Sequence, residues 1–301
     1  SRRRMLKDRF RSMLQKVIAL TVFVGAIPFL FGVRVCANEI SAAEGQEVVK
    51  KENKWLDDYH KPIGLTYNVQ AVLQTAYVWR GMSVGAANIQ ASANVGYGGL
   101  YLDMWWNVGV EQWNFKTFQP EVDFSLGFAR WGLNVYMLYI YNFNCGFFDF
   151  HNYPDKGNRL ELNVKYTISS KLPLGILWAT RVAASDGYLN TTGDMVRAWS
   201  SYAEIFYTQY LPYDLSLHGA VGFTPWKSCY TKYKGDFAVT NITICLRKDW
   251  SLSKHCGMML KGQLTINPYL MATDKSSIEW HSFNPTNQSI NVNVGLGVYL
   301  K

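Results

Sequence analysis

A two-residue period that outlasts ordinary strands is the feature that most constrains this chain. From 100 to 111 the large apolar side chains Leu100, Leu102, Met104, Trp106, Val108 and Val110 take every second position. Tyr101, Asp103, Trp105, Asn107, Gly109 and Glu111 lie between them. Such alternation belongs to a strand with two unlike faces. Strands of soluble sheets commonly stop at about 5–6 residues, whereas a strand tilted across a bilayer needs about 9–11. The period recurs in twelve segments, at 65–79, 88–97, 100–111, 120–129, 132–142, 159–168, 174–184, 198–210, 215–224, 237–248, 257–267 and 289–301.

The connections alternate as well. Tight ones at "GG", "ARW", "SSKLP", "LPYD" and "DWSLSKHC" separate longer ones at 80–87, 112–119, 143–158, 185–197, 225–236 and 268–288. Short turns at one end and long loops at the other are the pattern of an outer-membrane barrel. Hydrocarbon satisfies no backbone hydrogen bond, so strands cross it only in a closed barrel, with their apolar residues facing out. The expected fold is therefore all-β, a closed antiparallel up-and-down transmembrane β-barrel of about twelve strands at 64–301. Trp79, Trp113, Trp199 and Trp226 at the long-loop end, with Tyr97, Trp131, Tyr210 and Trp250 at the turn end, fit two interfacial aromatic girdles. A soluble sandwich with Trp in its core explains these aromatics less well.

Net charge needs its location before it means anything. The chain carries a formal +8, but residues 1–37 hold eight Lys/Arg and the single acid Asp8. Removing them from the 30 basic and 22 acidic residues leaves a nearly neutral remainder, which excludes nucleic acid as a partner. The leading segment, basic through Lys16 and apolar from Val17 to Val33, with the small residues Val35 and Ala37 before Asn38, reads as a secretory signal peptide at 1–37. The apolar run is also nearly long enough to act as an uncleaved anchor. Residues 38–63 read as a short polar periplasmic extension, and both ends of the mature chain are expected in the periplasm.

Export permits disulfides. Cys145 with Cys229, and Cys245 with Cys256 about a turn near Trp250, are the candidate pairs, subject to the Cα limit of about 7 Å. No cysteine lies at metal-ligand spacing, and the "GLG" of the last segment precedes no helix, so neither a metal nor a cofactor is expected.

At "YVWRGMSVGAANIQASANVGYGGLYLDMWWNVG" the chain resembles the TorF-type porins of Gram-negative outer membranes. They share an aromatic strand ending in Arg-Gly, an Ile-Gln in the second strand and a Gly before a Trp-containing third. "EVDFSLGF", "YNFN", "NRLELNVKYTI", "AWSSYAEI", "GFTPW", "DFAVTNITI" and "NPYL" resemble later blocks of the same type. The resemblance implies an outer-membrane barrel for passive transport and transfers no substrate. The final "SINVNVGLGVYLK" is similar to the closing strand read by the barrel assembly machinery, with Lys301 where an aromatic is usual.

Alternation points Arg80, Asp103, Glu111, Glu121, Asp123, Glu161, Lys165, Arg181, Glu204, His218, Arg247 and Lys261 into the lumen. The acids cluster on the third and fourth strands, with Arg247 and Lys261 roughly across a twelve-membered ring. Such a transverse field orients polar solutes in transit. The alternative is that these charges pair with their neighbours and fill a narrow barrel, since eight strands are filled by side chains and sixteen to eighteen leave a channel. Ser216 and His218 project the same way from one strand, as a nucleophile and a base do, but no carboxylate is placed to orient the histidine.

Three functions follow from these residues. The first is a porin-like channel in the bacterial outer membrane for small polar solutes or ions, with membrane lipid as its surroundings. The second is a closed structural or surface-interaction barrel, and the third a barrel enzyme acting on lipid. The register also predicts that Val294→Arg blocks assembly while Asn293→Arg, facing the lumen, is tolerated.

Overall fold

The computed structural model describes residues 64–110, 120–153, 157–169, 172–273 and 288–300. The expected signal segment 1–37, the expected extension 38–63, Glu111, Trp113 and Lys301 lie outside the described residues. Twelve strands close a barrel: β1 (Leu65–Gln74), β4 (Asn88–Tyr97), β5 (Leu100–Gly109), β6 (Glu121–Arg130), β7 (Leu133–Tyr141), β8 (Arg159–Thr167), β9 (Leu174–Ala184), β12 (Ser201–Leu211), β13 (Leu215–Thr224), β14 (Ala238–Ser251), β15 (Cys256–Ile266) and β16 (Ile290–Leu300). Each pairs antiparallel with the next, and β1 closes on β16 with Val69 opposite Leu300 and Gln74 opposite Gly295. Two small hairpins stand apart from the wall: β2 (Tyr77–Trp79) with β3 (Met82–Gly85), and β10 (Gly187–Leu189) with β11 (Met195–Arg197).

Burial in this barrel is the inverse of a soluble protein's. On β16, Val292, Val294, Leu296 and Val298 are about half exposed, whereas Asn291 and Asn293 are only 4% and 3% exposed. The same inversion places Leu100, Leu102, Leu126, Ile176, Ile205 and Ile244 outside, and Asn163, Asn241, Thr243 and Thr265 inside. Water penalises such an outer wall and hydrocarbon does not, so this is a transmembrane barrel. No helix among the described residues is long and apolar enough to cross a membrane, and the crossing is made by strands.

The tight turns follow from backbone sterics. Tyr97 pairs with Leu100 across Gly98 and Gly99, whose φ values of 62° and 100° are those of a two-residue hairpin twisted with its strands. Inside, rings lie over glycines on neighbouring strands. A Cβ on Gly222 would sit 2.0 Å from the Tyr202 hydroxyl, so the ring packs only because the side chain opposite is absent.

The expected aromatic girdles are revised in two places. Trp199, Trp226, Tyr97 and Trp250 are exposed, but Tyr210 lies opposite the lumen-facing Ser216 and shares its inner face, and Trp79 belongs to β2 and packs on Tyr230 at 5.8 Å between ring centroids.

Neither candidate disulfide forms, because Cys145, Cys229, Cys245 and Cys256 are all free. The β14–β15 turn is centred beyond Ser251, which pairs with Gly257, so Cys245 faces Gln263 and is separated from Cys256 by most of β15. At about 3.3 Å per residue that distance far exceeds disulfide reach. Alkylation of the unfolded, unreduced protein is expected to label all four of these cysteines. A mass showing Cys245 and Cys256 unlabelled contradicts the β14–β15 register, and one showing Cys145 and Cys229 unlabelled contradicts their free state.

Candidate functional site: a lumen divided by an internal hairpin

The connection between β1 and β4 does not stay outside the wall. It turns at Thr75 and sends β2 and β3 into the lumen as a hairpin held at its base, middle and tip. At the base, Ala76 N donates to Asn293 Oδ1 at 3.2 Å, Thr75 N donates to the Val294 carbonyl at 3.0 Å, and Val294 N donates to Thr75 Oγ1 at 2.9 Å. Asn293 Nδ2 also donates to Gln74 Oε1 at 2.7 Å. In the middle, the Tyr77 hydroxyl donates to Glu121 Oε1 at 2.6 Å.

The tip is a two-residue turn of Arg80 and Gly81, both at positive φ, 51° and 81°. Asn-Gly or Gly-Gly is the usual choice for such a turn. Arginine accepts the strained conformation here because its side chain is fixed from several directions. Arg80 Nη1 lies 2.9 Å from Glu161 Oε2, Nη2 donates to Asn163 Oδ1 at 3.0 Å, and the Tyr230 hydroxyl is a third partner. The guanidinium stacks over Trp79 at 4.4 Å and Tyr202 at 5.0 Å. Gly81 is required by space as well as by φ, since a Cβ there would come within 1.8 Å of the Thr240 carbonyl oxygen. Asn267 Nδ2 donates to the Gly81 carbonyl at 3.1 Å.

Behind the tip the charges continue. Arg181 Nε lies 3.4 Å from Glu161 Oε1 and Nη1 lies 3.9 Å from Asp186 Oδ1, with all three side chains at most 5% exposed. One carboxylate thus bridges two buried guanidiniums.

The hairpin divides the lumen. On one side, a cavity of about 270 Å³ runs between Val78, Arg80 and Gly81 and the wall of Glu204, Ser216, His218, Asn241, Thr243 and Arg247. On the other, a chamber of about 240 Å³ is lined by Tyr77, Val78, Trp79, Gln90, Trp105, Asp123, Lys261, Gln263 and Asn293. Toward the short turns, a vestibule of about 860 Å³ opens among Thr66, Asn94, Asp103, Asn134, Tyr136 and Lys165.

The described residues expected to line the lumen sit on two kinds of element. Asp103, Glu121, Asp123, Glu161, Lys165, Arg181, Glu204, His218, Arg247 and Lys261 project from barrel strands. Arg80 does not: the expected first strand at 65–79 ends at Gln74, and Arg80 reaches the interior from the hairpin tip. Glu111 lies outside the described residues.

Many of these charges are satisfied within the wall. Arg247 makes a two-pronged contact with Asp249 at 2.8 and 2.7 Å, Glu204 accepts from Asn241 at 3.2 Å and from Tyr202, and Lys165 lies over the Phe206 ring at 4.5 Å. Asp123 and Lys261 face one chamber without an ion pair among the described residues, and Asp123 Oδ1 is buried without a hydrogen-bond partner.

Ser216 and His218 both face the lumen, away from lipid, and His218 Nδ1 lies 2.9 Å from Thr208 Oγ1. No carboxylate orients that imidazole through a hydrogen bond among the described residues.

No family model matches the chain, and no curated protein matches it. Solved structures with a similar outline include the NanC porin, 11% identical with a TM-score of 0.43, covering 78% of this chain and 100% of that one. Salmonella typhi OmpF in complex with daunomycin is 8% identical, with a TM-score of 0.35, covering 78% of this chain and 97% of that one. Outer membrane phospholipase A from Escherichia coli is 12% identical, with a TM-score of 0.38, covering 83% and 97% respectively. At these identities and TM-scores no functional residue carries across to this chain.

Proposed function

We propose that the protein is a narrow, hairpin-constricted channel of the bacterial outer membrane, passing small polar solutes or ions down their gradients. The observation that carries this reading is the pair of polar cavities on either side of the hairpin, above a polar vestibule. Asn, Gln, Ser and Thr side chains on the inner wall replace part of a solute's hydration, while the charged residues set which sign enters. The sequence resemblance to TorF-type porins supports the same reading.

Insertion of the purified protein into planar lipid bilayers tests it. Stepwise conductance well below that of an unobstructed sixteen-stranded pore is the expected result, and a silent, correctly folded barrel overturns the proposal. Silence favours the second reading, a closed barrel with a surface role, which draws support from the anchored hairpin and from Glu161 sealed between two arginines.

A further inference from the structure

We infer that the chamber between the hairpin and the wall of β4, β5, β6, β15 and β16 is a binding site for a small zwitterion of the free α-amino acid class. This rests on the channel reading only in making that zwitterion the transported solute. The chamber is of about 240 Å³, below the roughly 300–1,000 Å³ of pockets for drug-sized molecules. It presents one carboxylate and one ammonium, Asp123 and Lys261, neither held in an ion pair among the described residues.

Asp123 Oδ1 is shielded from solvent and lacks a hydrogen-bond donor, and a buried carboxylate oxygen left so is costly until a donor arrives. A ligand ammonium supplies that donor. Trp105 sits directly opposite Asp123 in the β5–β6 register, and its ring is 5.5 Å from that of Tyr77, so an aromatic face flanks the same position. Carboxylate and indole together are a cation-binding pair.

The amine that answers the ligand carboxylate is held in place by packing. Lys261 pairs with Gly295 across β15 and β16, and a Cβ on Gly295 would come within 2.8 Å of Lys261 Cε, so the stem lies flat over the glycine. Gln90 accepts from Gln74 through Oε1, which leaves its NH₂ group as a second donor for a carboxylate. Trp79 closes the hairpin side of the chamber. A neutral sugar uses neither charge, and a simple cation or anion uses one and leaves the other desolvated.

Calorimetric titration of the full-length, detergent-folded barrel with L-alanine is the test, run beside L-alanine methyl ester, propionate and glucose. Saturable binding of alanine, at least tenfold tighter than the ester or propionate and absent for glucose, is expected. Asp123→Asn and Lys261→Met are each expected to weaken alanine tenfold or more. The ligand series decides the matter even where a variant fails to fold. Equal responses to alanine and propionate, equal responses to alanine and glucose, or no alanine binding at all overturns the inference. Conductance without alanine binding removes the site and leaves the channel, whereas alanine binding to a silent barrel removes the channel and leaves the site.

Discussion

Glu161→Ala is expected to destabilise the folded barrel by about 3–5 kcal/mol, the cost of removing one member of a buried ion cluster. The Glu161 side chain is 1% exposed and lies 2.9 Å from Arg80 and 3.4 Å from Arg181, so its loss strands two guanidiniums rather than one. Arg181 keeps Asp186 at 3.9 Å, but Arg80 keeps only neutral partners, Asn163 and Tyr230. The hairpin tip is therefore the element that lets go. The measurement is a denaturant midpoint in detergent paired with single-channel conductance: the midpoint falls and the conductance rises as the hairpin leaves the lumen. Glu161→Gln keeps the shape and removes the charge, and it is expected to fall between the two. An Ala variant with unchanged midpoint and unchanged conductance shows that the ion cluster does not hold the hairpin.

Val294→Arg is expected to prevent or severely slow assembly. Val294 is 46% exposed on the outer wall at the centre of β16, where an arginine facing hydrocarbon costs about 2–4 kcal/mol. The adjacent residue is not the neutral control that alternation alone predicts. Asn293 does face inward, as expected, but it is 3% exposed and its amide binds both Gln74 and the base of the hairpin. Arginine there displaces the hairpin, so Asn293→Arg is also expected to be harmful, by a different mechanism. Thr66→Arg is the appropriate control, because Thr66 faces the wide vestibule at the turn end. Heat-modifiable migration on gels after folding into lipid vesicles reports assembly. Equal folding of Val294→Arg and Thr66→Arg shows that the inner and outer faces have been exchanged.

The hairpin was hidden from sequence reading by the same regularity that disclosed the barrel. Leu65, Tyr67, Val69, Ala71, Leu73, Tyr77 and Trp79 form one odd-numbered row, interrupted only by Thr75. That threonine is where β1 ends, its hydroxyl and amide engaging β16 instead of continuing the ladder. A period of two says which residues share a face. It does not say whether the strand has left the wall, because a hairpin inside a barrel alternates in the same way. The Arg80-Gly81 turn gave no warning either, since its positive φ is maintained by contacts with Glu161, Asn163, Tyr202 and Tyr230, all distant in sequence.

Sequence alone determined the strand count, the antiparallel meander and the sidedness of the β5 and β16 rows, because hydrocarbon forces one constraint at each position: apolar outside, every backbone group paired. Those constraints are local and repeat along the chain, so alternation records them. Which lumen charges are engaged was decided by tertiary structure, because pairing depends on where strands and hairpins far apart in sequence meet. Asp123 and Glu121 stand two residues apart on β6 with the same outlook from sequence, yet Glu121 receives the Tyr77 hydroxyl while Asp123 Oδ1 is left without a donor. Arg247 and Lys261 are direct partners across β14 and β15, yet Arg247 is held by Asp249 and Lys261 faces the chamber. The difference in each pair comes from what a distant segment brings into the lumen, and no local period carries that.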